Sequence, residues 1–266
     1  MKYICLGYMD EQRWEAMSKA EQEAMMEECL AYDDVLTRRG HWTGAGESLQ
    51  KTTAAKSLRL KDGKLIVTDG PYAETKEQLG GFGTLEARAM DQAVELMSQH
   101  PGVRFGPFEI RPVDEKMTSD CESQAGSSVN VGEGVKILCL GYGDEDLWEA
   151  MPASQREALL RDYIAYGEYL RQRGCWVGGV ALQSARTAKT LRYKDGKVLV
   201  SDGPYAETKE VLGGVATLKF RDMAHAVESW SQHPCLRMGD TLELRPADEE
   251  FAARWEERQR RVNNTM

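Results

Sequence analysis

The chain has no stretch of about 18 consecutive apolar residues, so no membrane-spanning helix is expected. Its start, MKYICLGYMDEQRW, lacks the apolar core and small-residue cleavage site of a secretory signal. No long Lys/Arg block occurs and the formal charge is −9, which leaves no electrostatic footprint for nucleic acid or an anionic membrane. The patterns G-x-G-x-x-G, Walker A and G-x-S-x-G are all missing, so no phosphate-cradling loop or serine nucleophile can be argued. Histidine is scarce. His41, His100, His225 and His233 form no H-x-x-x-H or Cys/His cluster, so neither a metal nor another cofactor is expected. Six cysteines, at 5, 29, 121, 139, 175 and 235, include no C-x-x-C pair. Only Cys5 and Cys139 match between the halves of the chain, so a reduced, cytoplasmic protein is expected.

What the chain does contain is itself, twice. Asp62–Glu77 reads DGKLIVTDGPYAETKE and returns at Asp195–Glu210 as DGKVLVSDGPYAETKE, with thirteen of sixteen positions identical. That agreement marks an internal duplication. The expected division is 1–113 for the first copy, 114–134 for a flexible Ser/Gly/Glu-rich linker, 135–247 for the second copy and 248–266 for a helical tail. Phe251 and Trp255 are the tail's docking residues.

Each copy has the same readable order. Lys2–Tyr8 and Lys136–Tyr142 are apolar strands. Met25, Cys29, Tyr32 and Leu36 recur at helical spacing, as do Leu159, Tyr163, Tyr166 and Leu170, giving a helix of about Ser18–Arg39 in the first copy. Gly40 and Gly174 sit where a left-handed terminating glycine belongs. A Trp-bearing strand follows, then a hairpin around Asp62-Gly63 or Asp195-Gly196. A strand opened by Gly80-Gly81 or Gly213-Gly214 comes next, then a second helix, Asp91–His100 or Asp222–His233. A strand closed by Pro112 or Pro246 ends each copy. Strands with two interleaved helices argue for an α+β sandwich.

The run DGPYAETKEQLGG, flanked by the hairpin and a terminal EIRP, resembles the YCII-related proteins, and within them the branch named for an Asp-Gly-Pro-Phe motif; here Tyr72 and Tyr205 replace the Phe. The resemblance implies two tandem ferredoxin-like domains that pair within the chain, sheet to sheet, as a dimeric α+β barrel. It also implies, for short relatives, a His–Asp pair on the first helix. Those positions fall at Cys29 and Tyr163 for the His, and at Arg38 and Gln172 for the Asp. Neither partner survives, which counts against transferring that acid–base chemistry.

The dense ionisable group common to both copies is the candidate ligand site: Asp69, Tyr72, Glu74, Lys76 and Glu77, with Asp202, Tyr205, Glu207, Lys209 and Glu210. Solvated loops give no reason for Glu-Thr-Lys-Glu to stay identical, so these segments are expected to border a cleft, with Glu74 and Lys76 partly buried. His100 and His233, each ending a helix before Pro, are assigned to the helix C-terminal carbonyls. Trp14, Trp42 and Tyr8 and their counterparts belong to the core or to an aromatic cavity for a small organic molecule. No catalytic residue can be named, and whether the chain is an enzyme stays open. Two functions stand side by side: a binding protein for a polar organic molecule, with lyase- or isomerase-type activity as its enzymatic form, and a non-catalytic accessory module linked to sigma-factor regulation.

Overall fold

The computed structural model describes residues 1–73, 75–123, 134–206 and 208–263, without the side chains of 43–45, 120–123 and 263. The first copy runs β1 (Lys2–Met9), α1 (Glu11–Glu15), α2 (Lys19–Arg38), β2 (Trp42–Ser48), β3 (Lys56–Lys61), β4 (Lys64–Asp69), β5 (Gln78–Glu86), α3 (Met90–Ser98) and β6 (Phe108–Pro112). Then α4 (Glu115–Ser123) leads to the second copy: β7 (Val135–Gly143), α5 (Glu145–Ala150), α6 (Ala153–Gln172), β8 (Trp176–Ala181), β9 (Lys189–Lys194), β10 (Lys197–Asp202), β11 (Val211–Phe220), α7 (Met223–Trp230) and β12 (Thr241–Pro246). Helix α8 (Glu249–Asn263) closes the chain.

Local chemistry explains the boundaries. Ser18 caps α2 through a capping box: its hydroxyl accepts from the Glu21 N–H, and the Glu21 carboxylate accepts from the Ser18 N–H. Gly40 and Gly174, at φ 70° and 69°, end α2 and α6 in the left-handed region. The hairpin turns place Asp62 and Asp195 at φ 51° with Gly63 and Gly196 also positive, as a tight primed turn requires.

The fold is two six-stranded antiparallel sheets, in the orders β10-β9-β6-β1-β5-β2 and β4-β3-β12-β7-β11-β8. Within each, the four core strands and two helices have ferredoxin-like connectivity. The hairpins, however, do not lie on their own sheets. The β3–β4 hairpin of the first copy adds to β12 of the second, in register Arg59↔Thr241 to Lys56↔Leu244. The β9–β10 hairpin of the second copy adds to β6 of the first, Leu191↔Phe108 to Lys189↔Ile110. The insertion expected inside each copy is therefore an exchange between copies.

Alternation along the strands divides the core into three. Tyr3, Cys5, Leu85 and Ile110 face α2 and α3, and Leu191 from the exchanged hairpin joins them. Ile137, Cys139, Leu218 and Leu244 face α6 and α7, joined by Leu58. Ile4 and Leu6 meet Leu138 and Leu140 between the sheets. Burying the open face of each sheet against the other satisfies both.

The expected flexible linker differs in its first part. Residues from Glu115 form α4, whose start is held by the Asp114 carboxylate accepting from the Met117 N–H. The Thr118 hydroxyl accepts from the Ala181 N–H on β8. Residues 124–133 lie outside the described residues. The tail does dock. Helix α8 lies on α2, where Arg258 Nε reaches Asp34 at 2.7 Å, Arg254 reaches Glu23 at 2.7 Å, and the Thr37 hydroxyl donates to Gln259 at 2.7 Å. The five described cysteines are free.

Candidate functional site

The matched DGPY segments sit at the crossing of the two copies. The Tyr205 N–H donates to Glu109 Oε2 of β6 at 2.9 Å, and the Tyr72 N–H to Glu243 Oε2 of β12 at the same distance. Each carboxylate is buried and paired two residues on, Glu109 with Arg111 and Glu243 with Arg245, all about 1% exposed. Each Arg also donates to a backbone carbonyl of the other copy, Arg111 to Leu212 and Arg245 to Leu79. The tyrosine rings cross as well. Tyr205 packs tilted on Tyr8 at 4.2 Å between centroids and Tyr72 stacks on Tyr142 at 4.6 Å. Tyr205 donates its hydroxyl to Glu77 Oε2 at 2.6 Å, and Arg59 holds Glu210 by two contacts of 2.8 and 2.6 Å. Burial, then the Glu77 or Glu210 carboxylate, pushes the Tyr205 and Tyr72 phenols up to about 12.

The charged members of these segments fare differently. Lys76 and Lys209 are 77% and 79% exposed, near Asp10 at 3.7 Å and Asp144 at 3.2 Å. Lys76 is thus not partly buried as expected. Asp69 and Asp202 are also exposed and pair with Lys56 and Lys189 across their own hairpins. Glu74 and Glu207 lie outside the described residues. Of the ten candidates, the structure brings together Tyr72 with Glu210 and Tyr205 with Glu77, at contacts between the copies.

A cavity of about 1220 Å³ opens elsewhere, beside α2 in the first copy and into the seam between the sheets. Trp14, Trp42, Phe105 and Phe108 line it, with Tyr8 from β1 and Phe251 and Trp255 from α8. Trp42 packs against β5: a Cβ on Gly83 would come within 2.2 Å of its ring, so this glycine is what lets the indole settle there. The matched motif is one ring away, because Tyr205 backs Tyr8.

Inside the cavity α2 places Asp33 one turn beyond Cys29. His100 Nε2 stands 3.3 Å from Asp33 Oδ1, and both residues are under 10% exposed. The Gly102 N–H donates to His100 Nδ1 at 3.0 Å, which fixes the ring proton on Nε2, toward Asp33. His100 therefore caps the turn that follows it and orients a carboxylate; it does not bind the α3 carbonyls as expected. Apart from this contact with His100, no donor reaches Asp33 Oδ1. The Cys29 thiol, pushed up to about 12 chiefly by burial, contacts Met25 Sδ and is no thiolate nucleophile. Among the described residues no group of three or more His, Cys, Asp or Glu is arranged to hold a metal ion.

The second copy carries larger rings at the same place. Tyr163 stands where Cys29 does, Trp230 where Met97 does, and Gly167 where Asp33 does. The Tyr163 ring lies 5.2 Å from His233, Tyr166 5.1 Å and Trp230 4.9 Å. So enclosed, His233 is pushed down to about 3 by burial. Asp240, on the loop matching Gly106-Pro107, is pushed up to about 7, first by burial, and faces the Tyr163 hydroxyl at 3.5 Å. Sequence reasoning missed the Asp33–His100 pair because it sought the His on the helix. The available signal was an aspartate inside the apolar stripe of α2, next to Tyr32 and opposite a glycine in the other copy.

Two tandem α+β units of ferredoxin type, sharing strands and carrying an open cavity, define a duplicated small-domain protein. The YCII-related domain model matches residues 1–116 and 135–246, and the chain belongs to that family. "Uncharacterized protein R00369" of Rhizobium meliloti (strain 1021) is 38% identical over 117 residues, 42% of this chain and 92% of that protein. Solved structures of similar shape include a chlorite dismutase from Candidatus Nitrospira defluvii (12% identity, 96% of this chain and 94% of that one, TM-score 0.42). A heme-binding protein from Thermus thermophilus matches with 12% identity, the same coverage and a TM-score of 0.41. Among the described residues no helix is long and apolar enough to cross a membrane.

Proposed function

We propose that this YCII-related protein binds a small organic molecule in the first-copy cavity, and that the second copy serves as scaffold. The observation that carries this is the asymmetry at matched positions. Cys29, Met97 and Asp33 leave an aromatic-walled space with a carboxylate on its wall, whereas Tyr163, Trp230 and Gly167 fill or neutralise the equivalent space. Ligand cavities are typically about 300–1,000 Å³, apolar in the main, with few polar anchors. The lyase- or isomerase-type form of this reading assigns Asp33 as the proton acceptor, oriented by His100 Nε2–H. His100 itself has both ring nitrogens engaged and acts as a positioning residue. On this reading the DGPYAETKE segments, with Tyr72, Tyr205, Glu77 and Glu210, fasten the exchanged hairpins and back the cavity wall through Tyr8. Their motif supports reading the chain as one of the Asp-Gly-Pro-Phe branch of the family.

A thermal-shift screen of small organic compounds tests this on the wild type and on Cys29→Tyr, which imports the side chain of the second copy. A compound at 100 times its Kd stabilises the native state by about 2.7 kcal/mol. Hits should raise the wild-type melting temperature and leave Cys29→Tyr unmoved. Equal shifts in both proteins would remove the cavity as the site.

A further inference from the structure

Asp33 is not the only carboxylate that the duplication left on one side. Glu47 of β2 pairs with Phe82 of β5, as Val180 of β8 pairs with Val215 of β11, so Glu47 and Val180 are matched positions. Both Asp33 and Glu47 line the cavity of about 1220 Å³, and both have uncharged counterparts, Gly167 and Val180. Their burial is severe. Asp33 is 7% exposed and the Glu47 side chain 11%. Lys136, reaching over from β7 of the other copy, donates to Glu47 Oε1 at 2.8 Å. Glu47 Oε2 is buried and accepts nothing, and Asp33 Oδ1 has only the His100 ring nitrogen, at 3.3 Å, beside it. A buried carboxylate oxygen without a donor is costly, because it has given up water and received no replacement. Burial, the leading cause, also pushes the Glu47 carboxyl above its ordinary range.

The rest of the lining points the same way. Five carboxylates line the cavity against three ammonium groups. Trp14, Trp42, Phe105, Phe251 and Trp255 present aromatic surface, which attracts cations through the negative ring faces. Trp42 Nε1 is buried without an acceptor, so a hydroxyl or carbonyl on the ligand has a donor waiting there. The carboxylates and the ring faces would receive a carboxylate or phosphate poorly.

Building on the cavity reading, we propose that the ligand is an organic amine, bound as its ammonium form, with an apolar or aromatic body. The ammonium group supplies the donor that Glu47 Oε2 lacks, or a second one for Asp33 beside His100, and the body lies among the aromatic rings. The pairing of Glu47 with Lys136 ties this site to both copies, so the second copy contributes a residue to it.

The test uses three probes of similar size on the full chain, benzylamine, benzyl alcohol and benzoate, followed by saturation-transfer NMR and thermal shift. Benzylamine should bind, and at least tenfold more tightly than benzoate. Asp33→Asn and Glu47→Gln keep shape and remove charge; at least one should weaken benzylamine tenfold or more while leaving benzyl alcohol within about twofold. The melting temperature of each variant without probe guards against a folding defect. If a variant unfolds, the wild-type ranking of the three probes decides alone. Benzoate binding as well as or better than benzylamine overturns the charge assignment and leaves the cavity reading standing. Failure of all three probes to bind, together with an empty wider screen, overturns both.

Discussion

Replacing Arg111 with Met should destabilise the protein more than any single surface change. Arg111 is 1% exposed, and its Nε donates to Glu109 Oε1 at 2.9 Å, beside a second contact to the same oxygen and one to the Leu212 carbonyl. Truncation leaves a buried carboxylate and a buried carbonyl short of donors. Breaking one side of a buried pair costs about 3–5 kcal/mol. Glu109 still accepts from the Tyr205 N–H at 2.9 Å and from the Tyr8 hydroxyl at 3.5 Å, so the lower half of that range applies. Urea unfolding reads the loss: with a slope of about 3 kcal/mol/M, 4 kcal/mol moves the midpoint down by about 1.3 M. The double variant Glu109→Gln with Arg111→Met should recover at least half, because it removes the stranded charge. Arg245→Met, acting on the matched pair with Glu243 and Leu79, should cost a similar amount. A loss below about 1 kcal/mol for Arg111→Met, or no recovery in the double variant, would refute the reasoning.

Deleting residues 57–68, the β3–β4 hairpin, should strip amide-exchange protection from Thr241–Leu244 in β12 of the other copy and spare Phe108–Ile110 in β6; mass spectrometry of exchanged peptides distinguishes this from the reverse pattern that an unexchanged hairpin would give. A pH prediction concerns His233 and Asp240. His233 binds protons more readily when unfolded, so its contribution to stability falls as pH drops from about 6.5 toward about 3. Asp240 holds its proton in the folded state up to about pH 7, so its contribution is present below about 3.9 and is lost as pH rises toward 7. Between about pH 4 and 6.5 the two slopes oppose each other, each about 1.4 kcal/mol per pH unit. Asp240→Asn should therefore lose stability on acidification through that window, as chemical denaturation at stepped pH would record, while the wild type stays nearly flat.

The chain's periodicities were enough to read its elements, because each is set locally. Ser18 before an amphipathic run, Gly40 after it and Asp62-Gly63 between alternating strands are signals that neighbours a few residues apart decide. The partner of each hairpin was not legible. Leu58 and Leu191 carry the same pattern whether they pack on their own half or on the other, since the two halves are near copies. The cavity was hidden for a related reason. The volume differences at Cys29 against Tyr163 and Met97 against Trp230 are legible in the repeat, but only the structure brings Cys29 of α2 and Met97 of α3 to one cavity. The His100–Asp33 pair joins a turn after α3 to the middle of α2, a contact no spacing rule carries. The DGPYAETKE repeat did stand out, and the structure gives its tyrosines a physical reason to stay: Tyr72 and Tyr205 each dock by ring and backbone on the opposite copy.

The exchange of hairpins has a consequence for what the duplication can lose. A half that ceased to bind anything would still supply two strands to its sister's sheet, and Leu191 to its sister's core. Selection on folding alone then preserves both halves, while selection on the cavity acts on one. On the proposed reading the second half is free to close its pocket with tyrosine and tryptophan, trading an opening for packing, and the tether would keep one binding half and one scaffold half in every molecule. A symmetric pair of separate chains cannot hold that asymmetry, because any change in one is a change in both.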